Sequence, residues 1–399
     1  MKSWLKFIFL SLFIVIIFGG GPLYLYLYIL LFTVLLAQIW AQIALLRMVV
    51  ERKVAQKGYF VGETIGVTLE VKNTGFLPVL WAYIEEKVPL GLIGQEKKAV
   101  VSLAGKTKRV LNYTFRTYER GIYCFNPVKV VTGDILGLYY FQKESFSPEE
   151  IIVYPRYKKL IFDQVSINGP NACIKAQISL KADPMAVLGS RDYQKGDPLN
   201  HIDWKATART QSLKTKQIEY RKDLTCAIIL NGNLSDYQTQ ADLEKAIELA
   251  ASLAKWVLNK KGQVAIYSNG RHKKHLEDRS FPVLGVSAND DKNQFLRILR
   301  VLALLNVSNS YPFKTLFDHI RSKLFIGTIL LIVTPYLDSE TWQRLTQATK
   351  KGHQVWIILT RRLKHAKQDE YFQQAKSMGL KIFIAEEKEE VGTIELKLL

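Results

Sequence analysis

Leu224-Thr225-Cys226-Ala227-Ile228-Ile229-Leu230 is an apolar run of strand length, and Asn231-Gly232-Asn233-Leu234-Ser235 breaks it with a polar loop. In residues 240–260, Leu243, Ala246, Ile247, Ala250, Leu253, Ala254 and Val257 recur at helical spacing, the stripe of a helix with one buried face. Gly262 closes that helix, and residues 263–268 begin a second strand. The rhythm continues with helices at 293–305 and 312–323, a strand at 328–333, a helix at 339–350, a strand at 354–359, a helix at 368–377 and a strand at 381–384. Apolar strands separated by amphipathic helices predict an α/β, Rossmann-like domain with a mostly parallel sheet covered on both faces. Ligands of such sheets sit beyond the carboxyl ends of the strands, so the loops after Leu230, Ser268, Val333 and Leu359 are the places to look for chemistry.

Upstream the pattern changes. Residues 59–155 alternate with period two over 64–72, 79–88, 108–117, 128–131 and 151–154, with turn residues at Asn73-Thr74-Gly75, 91–94, Ala104-Gly105 and Gly133-Asp134. Short strands without an intervening helix predict a small all-β sandwich. Further upstream, residues 7–23 and 24–46 carry no charge, and each is near the length a helix needs to cross hydrocarbon. Gly19, Gly20, Gly21 and Pro22 fall at their junction, which predicts a transmembrane helical hairpin. Lys2 and Lys6 before it, and Arg47, Arg52, Lys53 and Lys57 after it, put both ends on the cytoplasmic side of the membrane. A cleaved signal peptide is the rival, but the glycines do not make a small-x-small cleavage site. The expected domains are 1–50 (hairpin), 51–158 (sandwich), 159–222 (connecting segment) and 223–399 (α/β domain).

Fifty-five basic residues against 36 acidic give a formal charge of +19, with clusters at 271–274, Lys350-Lys351 and 361–367. Such patches attract polyanions. Beside an anionic leaflet each surface cation gains about 1 kcal/mol, so contact with anionic lipid or an acidic partner is expected ahead of nucleic acid, for which no motif is present. Cys124, Cys173 and Cys226 are widely spaced and odd in number, which predicts reduced, buried thiols and no disulfide framework.

Two stretches carry resemblances. Asn231-Gly232-Asn233-Leu234-Ser235 resembles the Asp-x-Ser-x-Ser metal loop of von Willebrand factor type A domains, but Asn231 stands in place of the anionic first ligand and Asn233 in place of the second, and only Ser235 matches. Val333-Thr334-Pro335 lacks the second metal-linked carboxylate, although Asp338 is close in sequence. A hard cation needs carboxylate charge to offset its dehydration, so the reading is a retained fold without the metal. The string from Arg191 to Arg209, RDYQKGDPLNHIDWKATAR, closely resembles the signature of the bacterial family known as domain of unknown function 58. Arg191, Tyr193, Gly196, Asp197, Ile202, Trp204, Thr207, Ala208 and Arg209 fit, whereas Asn200 stands where that family usually has arginine. Arg120-Gly121-Ile122-Tyr123 and the stretch 132–138 also fit, extending the resemblance over nearly the whole chain. The resemblance implies a membrane-anchored partner of MoxR-type AAA+ ATPases.

Within the string, Asp203 is placed to cap a short helix that Trp204 would anchor against the sheet. Either a structural latch or a docking surface would use Arg191, Tyr193, Gly196, Asp197, Asp203, Trp204 and Arg209. The chain holds no Gly-x-x-x-x-Gly-Lys-Ser/Thr phosphate loop, so ATP-driven work would come from another protein. The favoured reading is a nonenzymatic adaptor without cofactor. The rivals are a hydrolase or transferase using His201 with Asp197 and Asp203, and a metal-dependent binding module.

Overall fold

The computed structural model describes residues 13, 17, 21–89, 91–94, 97–134, 137–146, 149–162, 180–194, 197, 199, 202–222, 225–272, 284–289, 291, 293–306, 312–320, 324, 327–361, 366–388 and 392–398. Two compact units divide between Tyr154 and Pro155.

The first unit opens with one apolar helix, Gly21–Arg47, whose segment Tyr24–Arg47 is long and apolar enough to cross a membrane. Most of the other half of the expected hairpin lies outside the described residues. Gly21 and Pro22, expected in the hairpin turn, are helical instead. Proline is tolerated in a first turn, where its missing N–H has no intrahelical partner to lose.

Eleven strands follow among the described residues, against the five expected. Met48–Val54, Thr64–Asn73, Lys108–Thr117 and Leu92–Ile93 form one antiparallel sheet. Tyr140–Ser145, Val128–Gly133, Val79–Glu86 and Lys97–Leu103 form another. Met48, Val50, Leu69 and Val71 of the first share a core with Val79, Ala82, Ile84, Val101, Leu103, Val128 and Val130 of the second. Alternation explains this: Thr64–Asn73 buries every second side chain, so one face of each sheet is apolar. A smaller mixed sheet joins Gly58–Phe60, Glu150–Tyr154 and Gly121–Cys124.

A buried ion pair crosses this core. Arg52 Nε donates to Glu86 Oε1 at 2.7 Å, and its Nη2 donates to Asn126 O at 2.8 Å, with Phe125 under the guanidinium. Both side chains are wholly buried, and Glu86 Oε2 has no hydrogen-bond partner. Burial pushes the Glu86 carboxyl up to about 7 against the pull of Arg52, and lowers the Arg52 guanidinium. Cys226 is buried, and burial raises its thiol to about 12. Cys124, expected inside, is exposed because its side chain falls on the outward phase of Gly121–Cys124. Cys173 lies outside the described residues.

The second unit is built on an eight-stranded mixed sheet in the order Lys159–Phe162, Thr393–Leu398, Lys381–Lys388, Gln354–Leu359, Ile329–Thr334, Thr225–Leu230, Gln263–Ser268 and Leu284–Asn289. The run from Lys381–Lys388 to Gln263–Ser268 is parallel, whereas Thr393–Leu398 and Leu284–Asn289 are antiparallel to their inner neighbours. Ile329–Thr334 is buried throughout, as a strand with helices on both faces must be. The helix Gln240–Asn259 buries all seven residues of its stripe completely. At about 1.5–3 kcal/mol for each large aliphatic side chain, that stripe outweighs any helix propensity of the segment. The outer strands were not among the expected elements. Lys159–Phe162 pairs with Thr393–Leu398, and Phe162 packs against Trp256, Trp356 and Phe383.

Candidate functional site

The signature string sits at the end of a two-stranded ribbon, Leu180–Asp192 against Lys214–Lys222. Arg191 pairs with Thr215 and Asp192 with Lys214 across the ribbon, and the chain between them folds back over its end. Tyr193 N donates to Leu213 O, Asp203 N donates to Lys214 O, and Ile202 forms an isolated bridge with Thr215. Ile202 and Thr215 are buried.

All three carboxylates of the string build structure, Asp192 by accepting from Lys214 Nζ at 2.7 Å across the ribbon. Asp197 Oδ1 accepts from Arg191 Nη2 at 2.7 Å, and its Oδ2 accepts from Gln194 N at 3.0 Å and Thr215 Oγ1 at 3.3 Å. The Gln194 N–H, aided by Arg191, holds its carboxyl below the usual range. Asp203 caps the helix Trp204–Thr210, accepting from Ala206 N at 3.0 Å, while Ser190 Oγ donates to Oδ2 at 2.6 Å. The Ser190 hydroxyl and then the Ala206 N–H lower its carboxyl. Gln211 in the left-handed region ends the helix, and Thr207 Oγ1 accepts from Lys214 N, which ties the helix to the ribbon.

Trp204, expected to anchor this helix against the sheet, is 69 % exposed. The reason is local. A seven-residue helix capped at its first turn needs no aromatic anchor, and Ile202 occupies the inward position two residues earlier. Leu199 and Leu213 are exposed too, as are Lys205 and Arg209. Gly196 and His201 lie outside the described residues.

The second set is the polar loop after Leu230. Asn231 is buried, and its Nδ2 donates to Asp236 Oδ2 at 2.8 Å. Asn233 Nδ2 donates to Asp236 Oδ1 at 3.1 Å, and Tyr336 OH reaches the same oxygen at 3.3 Å. The amide oxygens are engaged as well: Asn231 Oδ1 accepts from Asn233 N, and Asn233 Oδ1 accepts from Ser235 Oγ at 2.8 Å. Gly232 N donates to Asn269 Oδ1 at 2.7 Å, and a Cβ on Gly232 would stand 2.8 Å from Ser268 Oγ. Tyr237 OH donates to Asn231 O, and burial raises both Tyr237 and Tyr336, the latter to about 12.

Asn231, Asn233, Ser235, Asp236 and Tyr336 border a cleft of about 380 Å³ that Phe313, Asp338 and Glu340 also line. Asp338 caps the helix Ser339–Lys350 by accepting from Thr341 N at 3.2 Å. Asp236, the centre of this network, was missed by sequence reasoning, which stopped at Ser235; its place one residue beyond the loop was the only available signal. Lys350 and Lys351 are exposed at the C-terminal end of the same helix, whereas the side chains of the two other basic clusters lie largely outside the described residues.

Residues 189–366 match the family described as Protein of unknown function DUF58. That segment is narrower than the near-whole-chain resemblance expected from the sequence. The chain is 26 % identical over 259 residues to the "Uncharacterized protein YeaD" of Bacillus subtilis (strain 168). The match covers 63 % of this chain and 61 % of that protein, less than two thirds of the relative's length. Among solved structures, the CARDB domain of the PF1109 protein from Pyrococcus furiosus shares 18 % identity over 27 % of this chain and 91 % of its own, with a TM-score of 0.21. The sporulation control protein Spo0M from Bacillus subtilis shares 14 % over 27 % of this chain and 49 % of its own, with a TM-score of 0.17. Likenesses this low carry no argument about fold or function. From the ribbon that carries the helix of Trp204 to the start of the helix after Leu359, residues 189–366 are the stretch that is similar to the DUF58 family.

Proposed function

We propose that the chain is a membrane-anchored, nonenzymatic adaptor whose second unit is a degenerate von Willebrand factor A-like domain that docks a protein partner. The strand order supports that reading: five parallel strands with an antiparallel strand beside Gln263–Ser268. The carrying observation is Trp204. An indole 69 % exposed on a helix pinned at both ends is a preordered hot spot, because the aromatic buries a large area while little order remains to be imposed. Arg191 is held by Asp197 and Lys214 by Asp192, while Lys205 and Arg209 are exposed on the same short helix as the indole, which favours an acidic partner surface. A MoxR-type AAA+ ATPase is the partner that the sequence resemblance implies.

Asn231, Asn233 and Ser235 are a poor fit to a divalent cation. Two amide N–H groups and a phenol already satisfy Asp236, the one carboxylate they contact, and amide and hydroxyl oxygens supply no charge. Asp197 and Asp203 suit acid–base work equally poorly, since each is stabilised ionised and committed to a structural bond.

The test is a titration of the full-length chain in nanodiscs with a MoxR-type ATPase. Trp204→Ala is expected to weaken binding at least about tenfold, given hot-spot losses of about 2 kcal/mol or more, without altering the thermal melt. Unchanged affinity would remove the docking face.

A further inference from the structure

The apolar helix does not end in a linker: Arg47 is followed directly by the strand Met48–Val54. Its last two turns are built into the first unit's core, with Ala41 and Ala44 buried and Trp40 Nε1 donating to Pro78 O at 3.2 Å. Thr74 N and Oγ1 both donate to Arg47 O, at 2.9 and 2.8 Å. The helix therefore leaves the sandwich in a fixed direction. Before Trp40 the surface is bare and apolar: Leu25, Tyr26, Tyr28, Phe32 and Leu35 are between 55 and 70 % exposed. Residues 21–39 span roughly 28 Å at about 1.5 Å each, close to the roughly 30 Å of bilayer hydrocarbon.

A bilayer covering that stretch has its boundary at Trp40, so the end of the sandwich that holds Trp40 must meet it. The strand Val79–Glu86 starts beside Pro78, which puts Leu80 and Trp81 at that end. The strand Tyr140–Ser145 runs alongside, since Ser145 Oγ donates to Val50 O and Lys143 Nζ to Met48 O; toward its start it approaches the level of Trp40. Tyr140 is 65 % exposed, its ring 5.8 Å from that of Trp81, and Tyr139 stacks on Phe141 at 6.4 Å. Trp81 Nε1 donates to Asp134 O. Side chains with an apolar body and a polar handle partition to the headgroup layer, where water and hydrocarbon meet.

We propose that Leu80, Trp81, Tyr139 and Tyr140, together with Trp40, form a lipid-contact collar seated in the headgroup layer around the helix. The collar makes the sandwich a bilayer-resting body and limits its tilt. This rests on the helix spanning a membrane, and the experiment separates the two.

p-Benzoylphenylalanine is placed singly at Phe32, Tyr140 and Ile93 of the full-length chain in nanodiscs of phosphatidylethanolamine and phosphatidylglycerol. Phe32 reports the helix and Tyr140 the collar. Ile93, 56 % exposed and paired with Arg116, lies at the opposite end of the sandwich from Asn73 and is the control. Illumination is expected to give lipid adducts at Phe32 and Tyr140 and none at Ile93. Adducts at Phe32 without Tyr140, or at all three positions, would overturn the collar and leave the span standing. No adduct at Phe32 would overturn the span itself.

Discussion

Single residues set the sharpest expectations. Glu86 is buried with one oxygen unpaired and its carboxyl raised to about 7, so the folded chain holds this proton more tightly than the unfolded chain, whose value is near 4.5. Stability on this account falls as pH rises from about 4.5 to 7 and is level above that, a loss of at most about 3 kcal/mol. Denaturant titrations across that range should show the slope in the native chain and its loss in Glu86→Gln. Removing the group is worse than neutralising it: Glu86→Ala leaves Arg52 buried without its carboxylate and should cost about 3–5 kcal/mol. Asp203 gives a local counterpart. Asp203→Ala removes the acceptor for Ala206 N and the partner of Ser190, so the helix Trp204–Thr210 should fray from its first turn. Faster amide exchange confined to residues 204–210 is the readout. The capping role of Asp203 was legible because an N-cap is a local bond; the outward turn of Trp204 was not, because which side of a short helix faces solvent depends on the ribbon beneath it.

Among the elements, the loop after Leu230 makes a testable statement about charge. Asn231→Asp would replace the amide donor that faces Asp236 Oδ2 at 2.8 Å with a second carboxylate. Like charges at that distance repel, so the variant should melt lower in the absence of metal and recover with manganese, with a calorimetric binding signal that the native chain lacks. Micromolar manganese binding by the native chain would show that amides and hydroxyls suffice. The inner strands and the helix Gln240–Asn259 were readable because burial on one or both faces imposes an apolar period. Leu284–Asn289, Thr393–Leu398 and Lys159–Phe162 were not, because an outer strand needs less apolar sequence and takes its place only when a neighbour offers free backbone groups.

Over the whole molecule, the proposed membrane span carries a prediction about orientation. Arg47, Arg52, Lys53 and Lys57 follow the span, so a reporter active only outside the cytoplasm, fused after Leu399, should stay silent. The structure adds a qualification: Arg52 is buried in an ion pair with Glu86 and does not act as a surface charge. The polar network around Asp236 draws on residues as distant in sequence as Tyr336, and the core of the first unit joins Met48 to Val130. Such contacts leave no mark at any fixed spacing.

Alone, the sequence determined the apolar N-terminal segment, the alternation of strands and helices in the second unit, and the string within the stretch that matches the DUF58 family. Each is a local periodicity or a contiguous pattern, written where it acts. Only the tertiary structure decided that the apolar helix runs without a joint into a β-strand, that Asp236 takes up both amides of the preceding loop, and that Trp204 faces solvent. Those outcomes depend on which distant backbone and side-chain groups remain unsatisfied after the core has closed, a balance that no single segment contains.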